Sequence, residues 1–315
     1  MEIDNATLQQ QFAELRSKSL REAKKSEQAL RRTYKALLKD VQHFLSEEYA
    51  QLAEDGTISY AVLQRKGQYA RFLKECTERL DGFTPDIITE IEHLVHSTYE
   101  LNYKGMVQAV SSAKDLPSLA KELKGVKATI PETVKRAVNN PIDKLTLKET
   151  LEHKRAEITY NIRKQVGIGL VNGDRYETMA KRISDTLDSD YKKAITIVRT
   201  EAHRVQEQGL NDAAIDCSTA IRNGKSGLIS VKTWKTGRDK RVRDSHSSME
   251  GVTVLVEEEF ELPSGAVTMT PGDSGVASED ICCRCYCSYK LVTEEEYFKL
   301  TGKHISDKQQ TEDKK

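Results

Sequence analysis

The stretch DICCRCYCSY holds four of the chain's six cysteines, Cys282, Cys283, Cys285 and Cys287, and the only tryptophan, Trp234, precedes it together with His246. Zinc takes thiolate sulfur and imidazole nitrogen in sets of about four, so His246, Cys283 and Cys285 offer three ligands of a structural site, with His203 a candidate fourth. The competing reading is plainer. No Cys-x-x-Cys pair repeats elsewhere, and a buried free cysteine packs as a small hydrophobe. An extended strand would put Cys283, Cys285 and Cys287 on one face, with Cys282, Arg284 and Tyr286 on the other. Core packing is the favoured reading and zinc the alternative; no other cofactor is expected. A second set could do acid–base chemistry: Asp239, His246 and Glu250, with Arg241 and Arg243 to bind an anion, would suit phosphodiester or nucleotide hydrolysis. The chain carries no phosphate-cradling glycine loop, His-Glu-x-x-His or nucleophile elbow. The reading is therefore non-enzymatic, with no catalytic residue assigned and a metal-dependent hydrolase as runner-up.

The elements that must hold these residues are set by periodicity. Between Ala6 and Ala53 there is neither Pro nor Gly, and Leu8, Phe12, Leu15, Leu30, Leu37, Val41 and Phe44 recur at helical intervals, which predicts one or two long helices. Their charges, Arg31, Arg32 and Lys35 included, read as a solvated face before they read as a DNA-binding one. Asp55-Gly56 turns the chain into a second helix, which Asp81-Gly82 should stop at Leu80. Thr84-Pro85 should then open a third, to about Ser111, carrying His93 and His96 as surface histidines. Pro117, Gly125, Pro131 and Asn139-Asn140-Pro141 break the pattern into a connector. Helices are predicted again over 145–171, 175–187 and 190–217; Gly209 inside the last costs about 1 kcal/mol relative to Ala, which points to close approach by another segment. Arg199 and Glu201 on that helix read as clamps that hold the β segment on it, with Asp239 as a partner for Arg199. After Asn223-Gly224 the period becomes two: strands are predicted from Leu228 to Trp234, over 252–256, 258–262 and 281–291, with a short helix within 241–249 and a last one from about Glu294. The fold class is α+β. A mostly helical scaffold over 1–140 precedes a small α+β domain with a short antiparallel sheet over 141–300, and 301–315 forms a polar, disordered tail.

Composition narrows the partners. Lys plus Arg and Asp plus Glu both number 49 in 315 residues, so no global charge draws the chain to nucleic acid, and any contact with DNA needs a local basic patch. Charged residues are 31% and aromatics 6%, with a mean hydropathy of −0.61, the profile of a solvated helical protein. No apolar run approaches the roughly 18 residues of a membrane span, and MEIDNATLQQ lacks the order of a secretory signal, so no membrane partner and a cytoplasmic start are expected.

The order of motifs from Arg199 to Cys285 resembles the phage head morphogenesis family, the Mu F-like minor head proteins. The pattern falls on Arg199, Thr200 and Glu201, then on Trp234, Asp239, Arg241, Arg243, His246 and Gly251, then on Phe260, Pro263, Pro271, Gly272 and Asp273, and ends on Cys283, Arg284 and Cys285. Cys282 stands where that family usually has Asn, and Cys287 is additional. The resemblance implies a minor capsid component inside the virion. It would join the head in the host cytoplasm during assembly, near the portal protein, scaffold or major capsid protein, and take part in packaging or ejection of double-stranded DNA. Related domains occur joined to toxin modules; here only a short tail comes after the domain, so no effector is expected.

Overall fold

The computed structural model describes residues 5–58, 60–65, 67–112, 147–223 and 226–305. It is α+β, as expected: long helices lead, and a small antiparallel sheet with short helices comes after them. The helices are α1 (Asn5–Leu52), α2 (Tyr60–Arg65), α3 (Tyr69–Ser111), α4 (Leu147–Asn172) and α5 (Tyr176–Asn223). After them come β1 (Ile229–Lys235), α6 (Asp244–Ser247), β2 (Thr253–Leu255), β3 (Phe260–Glu261), β4 (Val267–Thr268), α7 (Ala277–Asp280), β5 (Tyr286–Val292) and α8 (Glu294–Thr301).

Two predicted helix breaks do not occur. The chain runs helically through Asp81-Gly82 and Pro85 within α3, and the separate helices expected over 175–187 and 190–217 are one helix, α5. A proline inside a helix loses a backbone bond and costs about 3 kcal/mol. Leu80, Ile87, Ile91, Leu94 and Val95 are all buried across it, and an unbroken apolar stripe of that length outweighs the local penalty. The sheet region is shorter in its regular pieces than predicted. The helix expected within 241–249 is four residues of α6, the strand over 258–262 is two residues of β3 paired with β4, and β4 and α7 were not anticipated. Strand β5 begins at Tyr286 rather than 281, because Cys282 adopts a left-handed φ of 57° and Cys283 N–H closes a turn on Asp280 O. The placing of Cys283, Cys285 and Cys287 on a single strand is thereby corrected: only Cys287 lies on the strand. The predicted connector over 113–141 and the boundary at 140 lie outside the described residues, as does the predicted tail over 301–315 beyond residue 305; within it Thr301 still belongs to α8 and Gly302 caps that helix.

Two compact units interleave along the chain. One comprises Met1–Ala23, Leu94–Lys144 and Arg199–Lys315; the other comprises Lys24–His93 and Leu145–Val198. The second unit is helical and closes on aromatic pairs, Tyr34 with Tyr191, Phe44 with Phe72 and Tyr49 with Tyr176. Ion pairs between Arg71 and Glu48 and between Arg79 and Asp40 flank them.

The first unit contains the sheet, in the order β2-β1-β5, all antiparallel, with Val231 opposite Leu255 and Trp234 opposite Cys287. Val231, Val292 and Tyr297 form a buried cluster on it. Strand β5 is an edge, and an edge strand presents unpaired backbone groups on alternate residues. Side chains answer them. Asn5 on α1 both donates to Leu291 O (2.9 Å) and accepts from Leu291 N–H (3.1 Å); Gln9 donates to Tyr289 O; Arg16 donates to Cys287 O; and Glu207 on α5 accepts from Cys287 N–H at 2.8 Å. The apolar stripe of α1, Leu8 and Phe12, is buried below them, with the Phe12 ring edge-on to Tyr289.

Candidate functional site

The site is built on one face of α5. Residues three and four apart on a helix share a face, and Thr200, Glu201, Arg204, Glu207, Gln208 and Asn211 keep that spacing. Thr200 Oγ1 accepts from Cys282 N–H at 3.1 Å. Arg204, 1% exposed, is answered by Glu201 at 2.6 Å, and its Nη1 lies 3.2 Å from Gln208 Oε1 and 3.7 Å from Asp273. Gln208 donates to Asp273 at 2.7 Å. Buried charges persist only when paired and hydrogen-bonded, and this comb meets that condition while tying the loop around Asp273 and the turn at Cys282 to the helix. Farther along, Asn211 accepts from the buried Lys232 ammonium at 3.1 Å; burial pushes Lys232 down to about 8. Gly209 meets the expected close approach: a Cβ there would lie 2.7 Å from the backbone oxygen of Tyr99 on α3.

Over this comb the sheet region brings His246, Cys283 and Cys285 together. His246 is 2% exposed, and its Nδ1 lies 3.6 Å from Cys283 Sγ and 3.5 Å from Cys285 Sγ. The ligand atoms of all three lie within 4.8 Å of one another. The other ring nitrogen, Nε2, is 3.0 Å from Glu279 Oε2. That is ion-pair contact, but the alignment falls short of a well-formed hydrogen bond, and Nε2 has no such bond among the described residues. Burial works against the Glu279 charge, yet the hydroxyls of Ser264 and Ser245 and the imidazole outweigh it and hold the carboxyl below its ordinary range. Within the cysteine pair, the contact with Cys283 holds Cys285 below the usual thiol range, and the same contact together with burial pushes Cys283 up. The fully buried Trp234 ring stands edge-on to His246 (5.3 Å) and Phe260 (5.2 Å), fixing the imidazole's lateral position. His203 is half-buried, with its Nε2 out of solvent and without a hydrogen bond among the described residues. It is not part of the close cluster, but it shares a wall with it: a Cβ on Gly272 would lie 3.1 Å from His203 Cδ2 and 3.6 Å from Cys283 Cβ.

The remaining motif residues brace the rim. Asp239 pairs in bidentate fashion with Arg284, which holds its carboxyl well below the usual range, and accepts from Arg241 N–H at 2.9 Å. The expected Arg199–Asp239 pairing is therefore replaced by Arg284–Asp239, and Glu201 turns to Arg204 instead of clamping the sheet region. Arg243 donates to Ile281 O. Glu250 accepts from Thr236 N–H at 2.6 Å; burial opposes its charge, but this bond, Arg238 and Lys235 leave it lowered to about 2. Gly251, at a left-handed φ of 89°, donates its N–H to Trp234 O. The acid–base set weighed from the sequence is thus distributed between the exposed carboxylate of Asp239, the salt-bridged Glu250 and the buried His246. Sequence reading missed Arg204, Glu207, Gln208, Glu279 and the α1 side chains Asn5, Gln9 and Arg16. A buried polar residue every third or fourth position of an apolar helix was the available signal for the α5 set.

Residues 160–288 match the family described as Phage Mu protein F like protein. Among curated proteins, the minor head protein GP7 of Bacillus phage SPP1 is 24% identical over 268 residues, covering 84% of this chain and 82% of that protein. The NAD(+)–arginine ADP-ribosyltransferase EFV of Enterococcus faecalis is 33% identical over 149 residues, covering 47% of this chain and 29% of that protein.

Proposed function

We propose, from the match of residues 160–288 to the phage Mu F-like family and the likeness to the SPP1 protein, that the chain is a minor head protein of that family, a structural component of a tailed-phage capsid that acts in head morphogenesis. The observation that carries this reading is the extent of the likeness to the SPP1 minor head protein, which takes in most of both chains, long helices included, and not the Mu F-like segment alone. The finer role is assembly into the procapsid beside the portal, with scaffold or major capsid protein as further partners, and passage of double-stranded DNA past it during packaging or exit. No described helix is long and apolar enough to cross a membrane.

A non-enzymatic role fits the way the charged motif residues are engaged. Asp239, Glu201, Glu250 and Arg204 each direct their charge to an internal partner. The transferase likeness spans 29% of that protein, too little to carry an activity over. The test is co-expression with the portal, scaffold and major capsid proteins of the same phage, followed by pull-down and sedimentation of assembled heads. The chain should co-purify with the portal and sediment with procapsids. A chain that stays free of every head component, or that cuts DNA in a chelator-sensitive manner, would move the reading to the hydrolase. Binding to DNA alone, steeply lost with salt, would make it a DNA-binding protein instead.

A further inference from the structure

We propose that Cys283, Cys285 and His246 form a buried zinc site, oriented by Glu279, that staples α6 to the turn between α7 and β5. The spacing of the donors fits a metal. Zinc–sulfur and zinc–nitrogen bonds of about 2.3 and 2.0–2.1 Å at tetrahedral angles set a nitrogen and a sulfur donor about 3.5–3.6 Å apart. His246 Nδ1 stands 3.6 and 3.5 Å from the two sulfurs, the length of the two nitrogen–sulfur edges of such a tetrahedron. The chemistry around the ring fits as well. A zinc-bound histidine usually presents its free ring nitrogen to a carboxylate, which fixes the tautomer and raises the basicity of the coordinating nitrogen. Glu279, itself 6% exposed and held by Ser245 at 2.9 Å, faces Nε2 at 3.0 Å and leaves Nδ1 to the sulfurs. In a cluster that did no more than pack, an apolar side chain would cost less than a buried carboxylate.

The charge also balances. Both thiols give up their protons to solvent on binding, so two thiolates neutralise the divalent ion and the imidazole stays neutral. Three protein donors leave one position of the four for a water or for His203 Nε2, which is buried without a hydrogen bond among the described residues. Location explains the need. His246 sits on a four-residue helix, and Cys283 and Cys285 lie in irregular chain before β5; segments so short in regular structure have few backbone bonds to hold them, and a metal joins them directly.

The test uses the full chain, purified without chelator, with zinc content measured by mass spectrometry and cobalt(II) titrated into chelator-treated protein as an optical probe. One zinc per chain and a thiolate-to-cobalt absorption band are expected. The Cys283→Ser and Cys285→Ser variants should lose the band. Glu279→Gln should keep the fold and bind about 10–100-fold more weakly. Cys282→Ser, at an exposed position, and Cys287→Ser, on the strand, should bind as the native chain does. The native protein and the Glu279→Gln variant decide the matter even if a ligand substitution fails to fold. A native chain that is folded, metal-free and silent toward cobalt overturns the proposal, as does metal uptake that survives both cysteine substitutions or vanishes with Cys282→Ser.

Discussion

At the scale of single residues, the most informative side chain is one that no motif pointed to. Lys232 lies on β1 with none of its surface exposed, donating to Asn211 Oδ1 and to Met269 O at 2.8 Å, with its ammonium 5.4 Å from the centre of the Phe260 ring. Burial is the largest influence on it and disfavours the charged form; Cys287, Glu257, Glu259 and Asp212 pull the other way without restoring the ordinary value, and it settles at about 8. That lowered value gives stability a pH dependence of definite sign. Below about pH 8 both folded and unfolded chains hold the proton, and the full cost of burying the charge is present. Between there and about 10.4, the ordinary value of a lysine, the unfolded chain binds more protons, so stability rises with pH over that window. Denaturant melts of the native chain should gain on those of Lys232→Met between about pH 7.5 and 10, by an amount on the order of 3 kcal/mol at most. Parallel curves would mean that the ammonium reaches solvent in the working protein.

Among the elements, α5 and the edge strand β5 organise the sheet-bearing unit. The helix crosses α3 where Gly209 allows it, and a Cβ at that point would press on backbone oxygen, which cannot rotate aside. Gly209→Ala should therefore destabilise, by about 1–3 kcal/mol in a urea melt, even though alanine is the better helix former by about 1 kcal/mol. A stabilised variant would show that the two helices part without cost. Glu207, on the same helix, secures the strand. It is fully buried, accepts from Cys287 N–H and Gln206, and faces Arg16 at 3.4 Å. One carboxylate thus joins α1, α5 and the free edge of β5.

For the whole molecule, the consequence is that the sheet cannot be understood from the residues near it in sequence. The unit that contains it draws on Met1–Ala23 as well as on Arg199–Lys315. Deleting residues 1–23 removes Asn5, Gln9 and Arg16 from the β5 edge and Phe12 from the core beneath it. In hydrogen exchange the Leu291 amide, which donates to Asn5, should then lose its protection, while amides in the middle of α4, in the other unit, keep theirs. Unchanged exchange at Leu291 would mean that the edge is satisfied without α1. An uncovered edge also templates strand pairing, so the same deletion should promote association between copies, visible in sedimentation.

The sequence by itself determined the fold class, the positions of the long helices and of β1, and the likeness to the Mu F-like family. Each of these rests on a repeated signal: apolar residues at helical spacing over tens of positions, an alternation around Val231, or an ordered run of motif residues. Its errors concern local marks that longer patterns overrode. Gly82 and Pro85 read as a boundary because a proline removes one helix bond, but the stripe from Leu80 to Val95 stays buried through them. Cys283, Cys285 and Cys287 read as neighbours on one strand because their spacing is two, yet a left-handed turn at Cys282 starts the strand later, leaving Cys287 N–H with Glu207 and the other two thiols with His246. The partners of charged groups were decided only by tertiary structure. Asp239 could have met any of several arginines, and Arg284, 45 residues away, meets it because the chain folds back antiparallel from β1 to β5. A side chain's charge says that a partner is needed, whereas only the packed backbone brings one within hydrogen-bond distance.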